Sequence, residues 1–179
     1  MERAIQIIQT FVTPIQLTRI VDWNKERNDL ELDSNLEVNM LSEEAKEYFD
    51  AKEFVYQLDA VCDLLFVGTG TLAKTSKAFH LISKGLFGSL DFIMTDFVGR
   101  VSNQGISSQH FIPLLSESLD IVIDTNYTKN SQKDEQGKVI KPVDFIPPEA
   151  KLQVVIDKFI MLSKNEGALT TPSLFSEEV

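Results

Sequence analysis

Apolar residues recur along this chain mostly at helical spacing. Ile5, Ile8 and Phe11, then Ile15, Leu17, Ile20 and Val21, predict helix from Glu2 to about Asp29, interrupted near Pro14. Met40, Leu41, Ala45, Tyr48 and Phe49 share one face of a second helix, from about Leu36 to Asp50. Asp33, Ser34 and Asn35 are all suited to cap it. A turn over 51–54 leads into a longer helix to roughly Ser83, its buried stripe formed by Leu58, Val61, Cys62, Leu65 and Phe66. Gly68 and Gly70 sit inside that helix, each costing about 1 kcal/mol relative to alanine. Close approach of a neighbouring backbone, or a kink, would account for them.

Gly85 and Gly88 mark a break, after which Leu90–Val101 and Phe111–Asp124 read as helices joined by a polar linker. Beyond Asn126 the pattern changes: Tyr127–Gly137 is turn-like and Lys138–Phe145 short and extended. Pro147 and Pro148 lead into a last helix, Glu149–Leu162, with Leu152, Val155, Ile156, Phe159 and Ile160 on its apolar side. The expected architecture is all-α, an antiparallel helix bundle with a short irregular or hairpin segment near 127–147. One domain covers 1–164 and a loose tail covers 165–179.

Composition narrows the function. Hydrophobic residues make up 43% and charged residues 25%, ordinary for a soluble globular protein. Neither a signal peptide nor an apolar run near the roughly 20 residues of a membrane span is evident. The single cysteine, Cys62, cannot form an intramolecular disulfide, which fits a reducing, cytoplasmic setting. The net charge of -10 is concentrated: thirteen acids against four bases lie between Asp22 and Asp63. Such a surface repels nucleic-acid phosphates, so neither nucleic acid nor membrane is an expected partner.

Some of these acids are placed as a solvated face does not require. Glu44 and Glu47 are three apart on one predicted helix, Asp59 and Asp63 four apart on the next, so each pair shares a face. Glu44 with Asp63, and Glu47 with Asp59, are nearly equidistant from the intervening turn. In an antiparallel hairpin both pairs meet at one level. Four converging carboxylates need a counter-charge, which divalent cations supply; Mg²⁺ in particular prefers hard oxygen ligands and bridges to phosphates. Ordinary surface charge pairs among Glu43, Lys46 and Glu47 are the competing reading. His80 and His110 are isolated, and the Glu-x-x-His pair of di-iron bundles is missing.

Glu43-Glu44-Ala45-Lys46-Glu47, followed by Leu58-Asp59-Ala60-Val61-Cys62-Asp63-Leu64-Leu65-Phe66, resembles the all-α nucleoside triphosphate pyrophosphohydrolases. That superfamily includes MazG-like enzymes, dimeric dUTPases and phosphoribosyl-ATP pyrophosphohydrolases. Asn126-Tyr127-Thr128-Lys129 is similar to its triphosphate-binding Asn-x-x-Lys segment. The stretch from Gly137 to Pro148 looks like the tail of a phage and bacterial branch of phosphoribosyl-ATP pyrophosphohydrolase-like proteins. Two departures stand out: position 60 is Ala, with the acid at Asp59, and no Arg follows Lys129 closely.

The resemblance implies hydrolysis of a (d)NTP to a (d)NMP and pyrophosphate, with Mg²⁺ (or Mn²⁺) held by Glu44, Glu47, Asp59 and Asp63. Glu47 or Glu43 would hold or deprotonate the attacking water. Asn126, Lys129 and Lys141 would bind the triphosphate, and Trp23 would stack on the base unless it belongs to the core. Asn24 and Phe11 lie on the N-terminal helices that line the pocket in similar enzymes. A homodimer or homotetramer in the cytoplasm, the host's if phage-encoded, completes the expectation. A catalytically silent nucleotide- or protein-binding module of the same fold is the alternative.

Overall fold

A computed structural model describes residues 2–27, 31–74, 86–129, 132–135 and 137–169. Among them are seven α-helices: α1 (Glu2–Phe11), α2 (Pro14–Glu26), α3 (Ser34–Asp50), α4 (Phe54–Lys74), α5 (Leu86–Asn103), α6 (Phe111–Tyr127) and α7 (Glu149–Leu169). A 3₁₀ turn, Ser108–His110, precedes α6. The bundle is all-α, as the spacing predicts, and no strand forms among the described residues.

Local chemistry sets the helix starts. Pro14 ends α1, and Thr13 opens α2 with a capping box. Its hydroxyl accepts from the Gln16 amide at 3.3 Å while the Gln16 side chain accepts from the Thr13 amide at 2.9 Å. Gln16 also donates to the Ser116 carbonyl at 2.8 Å, tying this corner to α6. Of the three candidate caps for α3, Asp33 takes the role, accepting from the amides of Asn35 and Leu36. Gln57 closes the α3–α4 turn by donating to the Ala51 carbonyl at 2.9 Å.

α4 is the central helix. It is apolar nearly all round, with Leu58, Val61, Cys62 and Leu65 fully buried. α3 pairs with it most extensively, and α2, α6 and α7 pack on its other sides. Burial among apolar neighbours raises the Cys62 thiol pKa well above its ordinary value, so it packs as a small hydrophobe. At the α3–α5 contact Tyr48 is fully buried, and its hydroxyl donates to Asp96 at 2.6 Å; Arg100 donates to the same carboxylate.

Several boundaries differ from the sequence expectation. α5 starts at Leu86 and takes in Gly88, where a break was expected; Gly85, and the stretch to Ser83 assigned to the third helix, lie outside the described residues. α6 continues to Tyr127. α7 runs to Leu169, through the start of the expected loose tail, because Glu166 accepts from Gln109 and meets His110 Nε2 at 3.1 Å. Instead of an extended stretch over Lys138–Phe145, one isolated bridge joins Lys133 to Val139. A tight turn serves it, in which Gly137 (φ 84°) donates to the Asp134 carbonyl at 3.0 Å. This turn lies against α3, where Lys138 pairs with Glu43 and Gly137 stands beside Leu36.

Candidate functional site

A pocket of about 310 Å³ runs along the α3–α4 seam. Helical spacing explains its walls. Glu37, Met40, Glu44 and Glu47 form a single stripe on α3, and Asp59, Asp63, Phe66, Gly70 and Lys74 form one on α4. Glu44, Glu47, Asp59 and Asp63 all appear along the wall of this one cavity. Facing them are Asn126 and Lys129 from the end of α6, Lys138 and Lys141 from the connecting segment, and Glu149 from the first turn of α7. A smaller cleft on the other side of Asp59 and Asp63 is lined again by Lys129, Lys141 and Glu149, together with Phe145.

The acids crowd one another. Burial, followed by the charges of Asp63 and Glu47, pushes the Glu44 pKa up to about 8. Burial and the charges of Asp63, Glu149 and Glu47 push Asp59 to about 8 as well. Asp63 is raised by burial, opposed by Lys129, by the Asn126 hydrogen bond and by Lys141. Lys129 is lowered by its own burial, against the pull of Asp63. The cavity therefore gathers more carboxyl groups than its cations can hold ionised, so Glu44 and Asp59 keep their protons to higher pH.

Asn126 organises the cationic wall. Its Nδ2 donates to the Val122 carbonyl at 2.9 Å and reaches toward Asp63 Oδ1 at 3.5 Å, while its Oδ1 accepts from Lys129 Nζ at 2.7 Å. Trp23 supports it from behind, donating Nε1 to the Asn126 carbonyl at 2.9 Å. Arg27 lies over the Trp23 ring at 4.3 Å and donates to the Lys129 carbonyl at 3.0 Å. Trp23 is 7% exposed, edge-on to Phe66 and covered by Arg27, and it also lines the cavity.

The remaining predicted residues fall at the rim or away from it. Glu43 is exposed at the mouth and paired with Lys138. Lys141 is exposed, its ammonium 5.1 Å from the Phe145 ring centroid. Phe11 packs edge-on against Phe111 and does not line this cavity. His110 meets Glu166 on another part of the surface, and His80 lies outside the described residues.

Three lining residues escape the sequence reading. Glu37 and Lys74 form a buried ion pair at 2.6 Å, with the Thr71 hydroxyl also donating to Glu37. They continue the α3 and α4 stripes, so extending the helical spacing past Glu44 and Asp63 would have found them. Glu149 follows no such spacing, since a long separation in sequence hides its approach to Asp59.

The donor chemistry fits a hard divalent cation: clustered carboxylate oxygens, one of which, Asp59 Oδ1, is buried without a hydrogen-bond partner. Among the described residues, no group of three or more acid, imidazole or thiol side chains stands close enough together to hold a metal ion. No helix among them is long and apolar enough to cross a membrane. Comparison with protein-family models, curated proteins and solved structures finds no match to this chain.

Proposed function

We propose that this protein is a Mg²⁺-dependent (or Mn²⁺-dependent) nucleoside triphosphate pyrophosphohydrolase of the all-α superfamily its motifs resemble. The observation that carries the reading is the single cavity in which Glu44, Glu47, Asp59 and Asp63 face Asn126 and Lys129. Carboxylates alone would repel a triphosphate and lysines alone would repel a metal; together they suit a metal–triphosphate complex.

Glu44, Asp59 and Asp63 would hold the cation, with Glu47 from α3 and Glu149 from α7 within the same cavity. When bound, the metal polarises phosphoryl oxygens and lowers the pKa of a water. Glu47, the more exposed acid of the α3 pair, accepts the proton of the water that attacks the α-phosphorus. The α–β bridging bond breaks, pyrophosphate leaves with that electron pair, and the proton passes from Glu47 to solvent. Glu43 is engaged by Lys138 at the mouth, so it fits the role of gatepost better than that of base. Lys129, held by Asn126, offsets phosphate charge inside the cavity, and Lys141 does so at its edge.

Hydrolysis in ¹⁸O-water tests the chemistry. The label should appear in the nucleoside monophosphate and not in pyrophosphate; label in orthophosphate, with a diphosphate product, contradicts attack at the α-phosphorus. The rival reading, a silent nucleotide-binding module of the same fold, would bind nucleotide without turnover. A homodimer or homotetramer is also proposed. Phe49 and Phe92, 53% and 62% exposed with ring centroids 6.1 Å apart, offer an apolar face for it. Light scattering at micromolar concentration would read the assembly directly.

A further inference from the structure

Away from the acids the pocket changes character. Going along α4 from Asp63, the lining passes Phe66 and Val67 to Gly70 and Lys74, while α3 presents Met40 and then Glu37. From Asp63 to Gly70 the helix rises about 10 Å, which sets this inner half well apart from the carboxylates. Its end wall is the buried Glu37–Lys74 ion pair with Thr71, and its side is the Asn24 carboxamide from α2.

Asn24 is 4% exposed yet incompletely bonded. Its Nδ2 donates to the Ile20 carbonyl at 2.8 Å, which fixes the orientation of the amide. Among the described residues nothing donates to its Oδ1, and the residue lines the cavity. A buried carbonyl oxygen left unmet is costly, and a ligand N–H is what would satisfy it. Gly70 makes that placement possible: a Cβ there would lie 2.9 Å from Asn24 Nδ2. The close neighbour expected at the α4 glycines is therefore this side chain and not a backbone, and Gly68, whose Cβ would stand 3.6 Å from Ile8, is in ordinary contact.

We infer that this inner half is a nucleobase-reading subsite, in which Asn24 Oδ1 accepts an N–H from the edge of the base and Gly70 holds the space for it. The Glu37 carboxylate at the end wall is already engaged by Lys74 and Thr71, so Asn24 Oδ1 is the acceptor by which the subsite selects bases. Trp23 lines the same cavity and also supports Asn126 through its indole N–H. The inference rests on the proposed function, because it takes the triphosphate to lie at the acids.

Calorimetric titration with Ca²⁺ in place of Mg²⁺ tests it, using inorganic tripolyphosphate, the common nucleoside triphosphates, and analogues lacking the edge N–H (purine riboside triphosphate against ATP, N3-methyl-UTP against UTP). The best-bound natural base should lose about tenfold or more in affinity when its N–H is removed. Asn24→Ala should abolish that difference and leave tripolyphosphate binding unchanged. Gly70→Ala should act like Asn24→Ala by displacing the carboxamide, whereas Gly68→Ala should not. Because Asn24 is buried, the Gly70 pair keeps the test valid if Asn24→Ala fails to fold. Equal binding of parent and analogue, or of tripolyphosphate and nucleotide, overturns the subsite while leaving the hydrolase reading intact. Failure of every phosphate ligand to bind folded protein overturns both.

Discussion

Replacing Glu44 by glutamine should stabilise the metal-free protein at neutral and alkaline pH, although the residue lies in the proposed active site. An ordinary glutamate titrates near 4.5, while burial and the neighbouring carboxylates raise Glu44 to about 8. Between those values the folded protein keeps a proton that the unfolded chain has released, so stability falls as pH rises through the interval and is lowest above it. At about 1.4 kcal/mol per pH unit, the interval sets a ceiling of about 5 kcal/mol. Pocket water screens the group and the other acids share the repulsion, so about 2 kcal/mol is the expected gain on neutralisation. For a chain of this size that is about 4–8 °C in unfolding midpoint. Thermal unfolding in EDTA from pH 5 to pH 9 provides the assay. The wild-type midpoint should fall across the range, the Glu44→Gln curve should be flatter, and the two should converge near pH 5. A wild-type midpoint independent of pH, or a variant less stable than wild type at pH 8.5, would refute the crowding argument.

Other consequences follow from the same contacts. Lys129→Met removes the buried cation that offsets Asp63, so nucleotide affinity should drop at least tenfold by calorimetry while the circular dichroism spectrum is kept. Trp23→Phe deletes the indole bond to the Asn126 carbonyl and should cost about 1 kcal/mol in urea unfolding, with a further loss of Lys129-dependent binding. Leu65→Ala, at a fully buried position of α4, should cost about 2–5 kcal/mol by the same measurement. Glu149→Gln should weaken Mn²⁺ binding followed by electron paramagnetic resonance; unchanged affinity would place Glu149 outside the metal's reach.

The parts of this architecture legible in the sequence are those governed by short spacing. The α3–α4 hairpin follows from two apolar stripes and one turn, and the gathering of Glu44, Glu47, Asp59 and Asp63 follows from helical geometry about that turn. Glu37 and Lys74 obey the same spacing but form a pair only because the hairpin brings both ends of the seam together. Glu149 and the Trp23–Asn126 bond depend on how α7 and α2 dock, which no local pattern encodes. The extension of α7 rests likewise on a long-range contact, Glu166 with His110. Gly70 was legible as an anomaly in a helix, but its cause, the carboxamide of Asn24, lies on another helix.

Pyrophosphate release from a panel of NTPs and dNTPs, with Mg²⁺ or Mn²⁺ and with EDTA as control, addresses the central claim most directly. The account predicts metal-dependent formation of a monophosphate and pyrophosphate in equal amounts, reduced by orders of magnitude in Glu47→Gln and Asp63→Asn proteins that remain folded. Release that persists in EDTA or in both variants, or no release of any kind from folded, metal-supplied protein, would contradict it.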